Sequence, residues 1–189
     1  MHDKAESSDR ELLVRLRDGE LGAFDAIFEK HRRGILAYVQ GITHDRQLSE
    51  DITQDCFVEL VKHRERIDPK RGVNGWLYRV ARNRAIDVMR HRKFERPTED
   101  SVLVERAETD DVAPAPHITL SAREAKREVE AAMQQLSEGE RELLLLRFYG
   151  DLTFKEIAKV VKRPLGTVLW KTRRAVEKLR EHMKVGDES

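Results

Sequence analysis

Residues 152–171 read LTFKEIAKVVKRPLGTVLWK. Thr153 followed by Glu156 forms a capping box, and Leu152 and Ile157 stand at the positions of a hydrophobic staple. Together they predict a short helix over 153–161 that buries Phe154, Ile157, Ala158 and Val161. Only Lys162 and Arg163 are left for the connection, and Pro164 suits the first position of a second helix. At 100° per residue, the second helix gathers Val168, Thr172, Ala175, Val176 and Leu179 on one side. Trp170, Arg173, Arg174 and Glu177 fall on the other. Small Ala158 permits a close helix crossing, and Val168 fills the joint. This pattern matches a helix-turn-helix, whose second helix enters the DNA major groove. The plainer alternative is a helical hairpin with a solvated basic face.

Charge distribution favours the first reading. The chain has 189 residues, is 38% charged and only 6% aromatic, and carries a formal net charge of +1. That composition suits two compact helical units better than one large core. Residues 162–184 hold eight Lys/Arg against two Glu, and residues 62–96 hold twelve against four acids. Between 97 and 112 the balance reverses to six acids and a lone Arg106. Two polyanion-facing surfaces joined by an acidic strap are expected from such segregation. The single cysteine, Cys56, excludes an internal disulfide and a thiolate metal cluster. No apolar run reaches membrane-spanning length and the N-terminus is polar, so a cytoplasmic protein is expected.

The apolar periodicity is helical nearly throughout. Ser8 with Glu11 opens a first helix through about Arg17, which Asp18-Gly19 interrupts. Phe24, Ile27, Phe28, Ile35, Val39 and Ile42 then mark a long amphipathic helix, broken at His44-Asp45. Ser49 is expected to cap a third helix across 50–66, and a fourth runs over about 75–93. Periodicity is lost over 94–120, where Pro97, Pro114 and Pro116 lie among acids, and a mobile linker is expected. Helix returns near 121–135. Ser137 and Glu140 form another capping box, before a helix expected to end at Gly150.

Two further stretches carry chemistry. In LSEDITQDCFVELVKHRERIDP (48–69), Asp51, Asp55 and Glu59 recur at i, i+4, i+8. Such a row can hold a divalent cation, serve as a solvated face, or dock a basic protein. Stacked like charges repel, and no His stands beside them at ligand spacing, which favours docking. In RGVNGWLYRVARNRAIDVMRHRK (71–93), Leu77, Val80, Ala81 and Val88 share one stripe, and Arg79, Arg82, Asn83 and Arg90 the opposite one. Arg84 falls in the apolar stripe and Ile86 on the polar face, which suggests packing on more than one side. A basic stripe with an interleaved Asn and a nearby Trp suits nucleic acid. For Trp76 itself, a place in the core is favoured over base stacking.

The segments DITQDCFVEL, GWLYRVARNRAIDVMR and LTFKEIAKVVKRPLGTV occur in the order and spacing of bacterial sigma factors. Over roughly 9–95 and 121–182 the chain resembles the compact extracytoplasmic-function (ECF) group, which keeps only regions 2 and 4. The resemblance implies an all-α chain of two small helical domains: region 2 at 1–95, a linker at 96–120 and region 4 at 121–189. It implies a non-enzymatic transcription initiation factor, stress- or signal-responsive, with strand opening at the −10 element. Asp51, Gln54 and Asp55 would dock on core RNA polymerase. Arg71, Asn74, Trp76, Arg79, Asn83, Asp87 and Arg90 would meet the −10 element. Thr167, Trp170, Lys171, Arg173 and Arg174 would read the −35 element. The implied partners are the polymerase clamp helices and flap and promoter DNA, with room for an anti-sigma factor. No catalytic residue, cofactor or metal is implied.

The pattern is not matched everywhere. Lys162 and Arg163 replace the usual Gly or Asn and apolar residue of the turn. LGTVLWK replaces the commoner EGTVKSR, which puts Leu169 and Trp170 where small or polar residues are usual. Two other functions remain as alternatives. One is a helix-turn-helix regulator with 1–95 as its sensor, against which the basic 62–96 stretch argues. The other is a metal-dependent nuclease using carboxylates 51, 55 and 59.

Overall fold

The computed structural model describes residues 8–95, 129 and 131–186, and its α-helices are α1 (Asp9–Arg17), α2 (Leu21–Thr43), α3 (Arg46–His63), α4 (Asn74–Glu95), α5 (Glu138–Phe148), α6 (Phe154–Val161) and α7 (Leu165–Gly186). The expected linker at 96–120, and residues 121–128 of the helix expected near 121–135, lie outside the described residues; residues 129 and 131–134 are helical.

The helix starts follow from side-chain chemistry. Ser8–Glu11, Ser137–Glu140 and Thr153–Glu156 each form a complete capping box, which satisfies amide donors that an α-helix leaves unpaired. The first break falls at Asp18-Gly19, where Gly19 adopts φ 85°, and the second at His44, which caps α2 with φ 55°. Substituting Ala for the Ser or Thr of such an N-terminal cap typically costs about 1 kcal/mol.

α1 to α4 form a bundle around Leu13, Ile27, Ile35, Val39, Cys56, Leu60, Leu77, Ala81 and Ala85, all of them buried. Each fully buried Leu or Ile side chain contributes roughly 1.5–3 kcal/mol. Burial pushes the Cys56 thiol up to about 12, so the sulfur behaves as a small apolar group. Arg17 ties α1 to the loop after α3, donating to the carbonyls of Arg64 (2.9 Å), Glu65 (3.0 Å) and Ile67.

In the second unit, the four consecutive leucines of α5, Leu143 to Leu146, are all buried because the helix packs on two sides. Leu144 joins Leu136 and Ala175 in a small cluster, while Leu143, Leu145 and Leu146 join the core that begins in α1–α4. α2 therefore packs on α5, and α4 on α6.

Five local expectations are corrected. α3 starts at Arg46, since Asp45 accepts from the Leu48 amide at 3.0 Å. Ser49 is buried inside the helix, its hydroxyl 2.6 Å from the Asp45 carbonyl and 2.8 Å from Thr43 Oγ1. α3 also ends at His63, with 64–66 tightening into a 3-10 turn. At the end of α5 the left-handed residue is Asp151 (φ 46°), not Gly150. Pro164 precedes α7 and its carbonyl accepts from Val168, so it stands outside the first helical position. Finally, Arg84 is exposed and reaches Glu59 at 3.8 Å instead of joining the apolar stripe.

Candidate nucleic-acid and polymerase interfaces

α6 and α7 form the helix-turn-helix. α6 buries Ile157, Val160 and Val161, while Phe154 and Ala158 are partly buried. The turn depends on Lys162, held left-handed at φ 53° and ψ 49°, with its amide donating to the Ala158 carbonyl. α7 then buries Val168, Thr172 and Ala175 and turns Leu169, Trp170, Arg173 and Arg174 outward. The Arg174 guanidinium lies 5.4 Å from the Trp170 ring centroid, and Arg173 Nε donates to Glu177 at 3.0 Å. Thr167 and Lys171 are half-buried beside this face. Trp170, 57% exposed, is a large apolar group kept in water by its position alone.

Lys178, one of the cations of the same helix, has a structural role. Its ammonium donates to both Glu140 oxygens, at 2.9 and 2.8 Å, and joins the second half of α7 to the start of α5. That bond, with those from Ser137, holds the Glu140 carboxyl down at about 2.

The residues expected at the −10 element divide into two sets. Arg79, Asn83, Asp87 and Arg90 are exposed on one face of α4. Trp76 shares that face, since the five fall within roughly 80° at 100° per residue. Trp76 is half-buried, packed against the core with its ring centroid 6.5 Å from that of His63, so it serves both core and surface. Asn74 points elsewhere, its Nδ2 donating to the Gly150 carbonyl at 2.7 Å. Arg71 closes the 3-10 turn Pro69–Arg71, and its side chain lies outside the described residues.

On α3, Asp51, Gln54 and Asp55 are exposed together, while Ile52, Cys56 and Leu60 face the core. Asp51 accepts from Gln47 Nε2 at 3.4 Å. Glu59 separates from this row. Lys62 (3.2 Å), His63 (3.1 Å) and Arg84 (3.8 Å) surround its carboxylate. The hydrogen bond from Lys62 leads in lowering its pKa. A carboxylate already met by three basic side chains is a poor metal ligand, which removes the geometric basis of the nuclease alternative.

Several residues that shape these surfaces gave only a weak signal in the sequence. Gln54 borders an apolar groove of about 390 Å³ lined also by Phe24, Phe28, Phe57, Val58 and Val61. Gly34 and Gly41 lie within α2, where a Cβ at 34 would stand 2.5 Å from the Tyr149 carbonyl oxygen and one at 41 would stand 2.7 Å from Leu145 Cδ1. Their signal was two glycines seven apart within a long helical pattern, a placement that costs about 1 kcal/mol each against alanine unless something must approach closely.

The sequence matches Sigma-70 region 2 over residues 27–95 and Sigma-70, region 4 over 132–181. It is 29% identical to the RNA polymerase sigma-H factor of Pseudomonas aeruginosa, covering 92% of this chain and 94% of that one. It is 28% identical to the ECF RNA polymerase sigma factor RpoE of Cereibacter sphaeroides, covering 97% and 99%. Among solved structures, the fold resembles the RpoE sigma factor of Bartonella quintana in complex with the anti-sigma factor NepR, with TM-score 0.70, 22% identity and coverage of 86% and 97%. It also resembles CnrH in complex with the cytosolic domain of CnrY, with TM-score 0.68, 21% identity and coverage of 95% and 99%. The chain belongs to the sigma-70 family, in its extracytoplasmic-function group. It is a transcription initiation factor, a non-enzymatic subunit that binds core RNA polymerase and directs it to promoter DNA.

Proposed function

We propose that three surfaces divide this work. Asp51, Gln54 and Asp55 on α3 form the polymerase-docking face. Trp76, Arg79, Asn83, Asp87 and Arg90 on α4, with Arg71 and Asn74 just before them, meet the −10 element. Thr167, Trp170, Lys171, Arg173 and Arg174 on α7 read the −35 element. The organisation is region 2 at 1–95, a tether at 96–120 and region 4 at 121–189, acting in the cytoplasm where polymerase and promoter are. The solved RpoE of Bartonella quintana is held by an anti-sigma factor. Control by a partner of that class is part of this reading.

The observation that carries the reading is the exposure of Asp51, Gln54 and Asp55 together on one side of a helix whose other side is core. Carboxylates placed this way do little for folding and can steer and hold a basic partner surface. The groove beside Gln54 adds the apolar contact that a durable interface needs at its centre. The test is the triple variant Asp51→Ala/Gln54→Ala/Asp55→Ala. Its circular dichroism should match wild type, with stability changed by about 0.5 kcal/mol, while pull-down of purified core polymerase falls at least tenfold. Undiminished core binding by the folded variant would remove the assignment.

A further inference from the structure

The face that α7 turns outward has an apolar group at its centre. At 100° per residue, Gly166, Trp170, Arg173 and Arg174 fall within roughly 100° of one another, with Leu169 at one border and Thr167 at the other. Trp170 is 57% exposed and Leu169 43%, and neither belongs to an apolar core of the protein. The Arg174 guanidinium, 5.4 Å from the ring centroid, covers one side of the indole and leaves it fewer orientations. A helical side chain leans over the turn that precedes it. One turn before Trp170 stands Gly166, where a Cβ would meet nothing within 4 Å, so the space over that turn is open. The face thus offers an indole, braced from one side, to whatever lies against the first two turns of α7.

We propose that Trp170 is a specificity-determining residue that reads the C5-methyl group of a thymine in the −35 element. Every base edge in the major groove presents hydrogen-bond donors or acceptors, and the thymine methyl is the one apolar feature among them. An indole laid on that methyl buries apolar surface on both sides of the contact. Laid on any other edge, it strips water from polar groups and returns at most the single donor of its own Nε1–H. The same side chain therefore attracts a T·A pair and rejects G·C at the position that it covers. Leu169 widens the apolar strip on one side. The cations around the ring serve phosphates, a contact that positions a helix without choosing sequence. The inference rests on the assignment of α7 to the −35 element and adds the base class that this face prefers.

Removing the methyl and nothing else tests it. Holoenzyme, assembled from the full chain and purified core polymerase, selects duplex promoters from a library randomised over the −35 region. Wild type is expected to enrich a T·A pair at one or two adjacent positions, and Trp170→Ala to lose that enrichment. Selected templates are then rebuilt with uracil in place of each −35 thymine in turn, and holoenzyme binding is measured. Wild type should bind the critical uracil template about fourfold more weakly, the worth of one buried methyl-sized group. Trp170→Ala should not tell the two templates apart, while Trp170→Phe, which keeps an apolar ring, should. Uracil tolerated by wild type at every −35 thymine, or equal uracil sensitivity in Trp170→Ala, would overturn the inference. Loss of discrimination by Trp170→Phe would give the readout to the indole N–H and overturn it as well. A selected −35 element that is indifferent to uracil removes this inference alone, whereas absence of any selected −35 element removes the assignment of α7 and the inference with it.

Discussion

Lys162 holds the turn between α6 and α7 at φ 53° and ψ 49°, a left-handed conformation that costs an L-residue roughly 1 kcal/mol or more. Lys162→Gly is therefore expected to raise stability by about 0.5 kcal/mol, part of the relief being lost to the freer unfolded chain. Thermal unfolding checks this, and a lowered melting temperature would show that the lysine side chain itself holds the turn. Glu140 makes the pH prediction. Its carboxyl is held down at about 2, first by Lys178 and then by Ser137. A carboxylate whose pKa is depressed on folding stabilises above its unfolded value near 4.5, and that contribution drains away as pH falls towards 2. Glu140→Gln keeps the capping geometry but loses the charge, so it should melt below wild type at pH 7, with the gap closing below pH ~4.5. A gap independent of pH would mean that the pair with Lys178 contributes nothing. The capping half of Glu140's role was readable three residues after Ser137. The half that involves Lys178, 38 residues away, was not, because nothing local marks which lysine folds back.

α7 shows what a single element can and cannot reveal in advance. Its buried side was legible, since Val168, Thr172 and Ala175 fall inward at the helical period as expected. The turn before it was legible from its length, although the sequence held no glycine to announce the left-handed residue. The outward face, with Arg174 over Trp170 and Arg173 on Glu177, is preorganised by neighbours one turn away. Arg173→Ala/Arg174→Ala is expected to weaken duplex binding and to flatten its salt dependence by about one unit per lost phosphate contact. If either arginine reads a base instead, sequence preference relaxes at a cost of ~1–3 kcal/mol. Unchanged affinity, slope and preference would exclude this face. The start of α3 misled for a definite reason. Ser49 and Thr43 bond to each other across the break, so the residue that resembles a cap is buried one turn inside the helix, and Asp45 caps instead. In α4, the periodic pattern was blurred because the helix has three occupied sides: core, exposed basic face, and the Asn74–Tyr78–Arg82 row that meets region 4.

At the scale of the whole molecule, the two stretches that match Sigma-70 regions 2 and 4 were legible through their caps, charge and motifs. Their contact was not, because it is made by carbonyls, glycines and one ion pair that are spread over distant parts of the chain. The core that begins in α1 runs on through Leu145, Leu146, Ile157 and Val168. Region 4 thus completes its packing on region 2. The central claim is that this chain gives core polymerase its promoter choice through one docking face and two DNA-reading faces. The measurement that tests it most directly is run-off transcription with purified core polymerase across a promoter library. Wild type should yield discrete transcripts from a subset of templates that core alone does not transcribe. The Asp51→Ala/Gln54→Ala/Asp55→Ala variant should lose them at least tenfold on every template, and Arg173→Ala/Arg174→Ala should reduce them or alter which templates are used. No transcript above core alone from the wild-type chain, or an unaltered transcript pattern from both folded variants, would contradict the account.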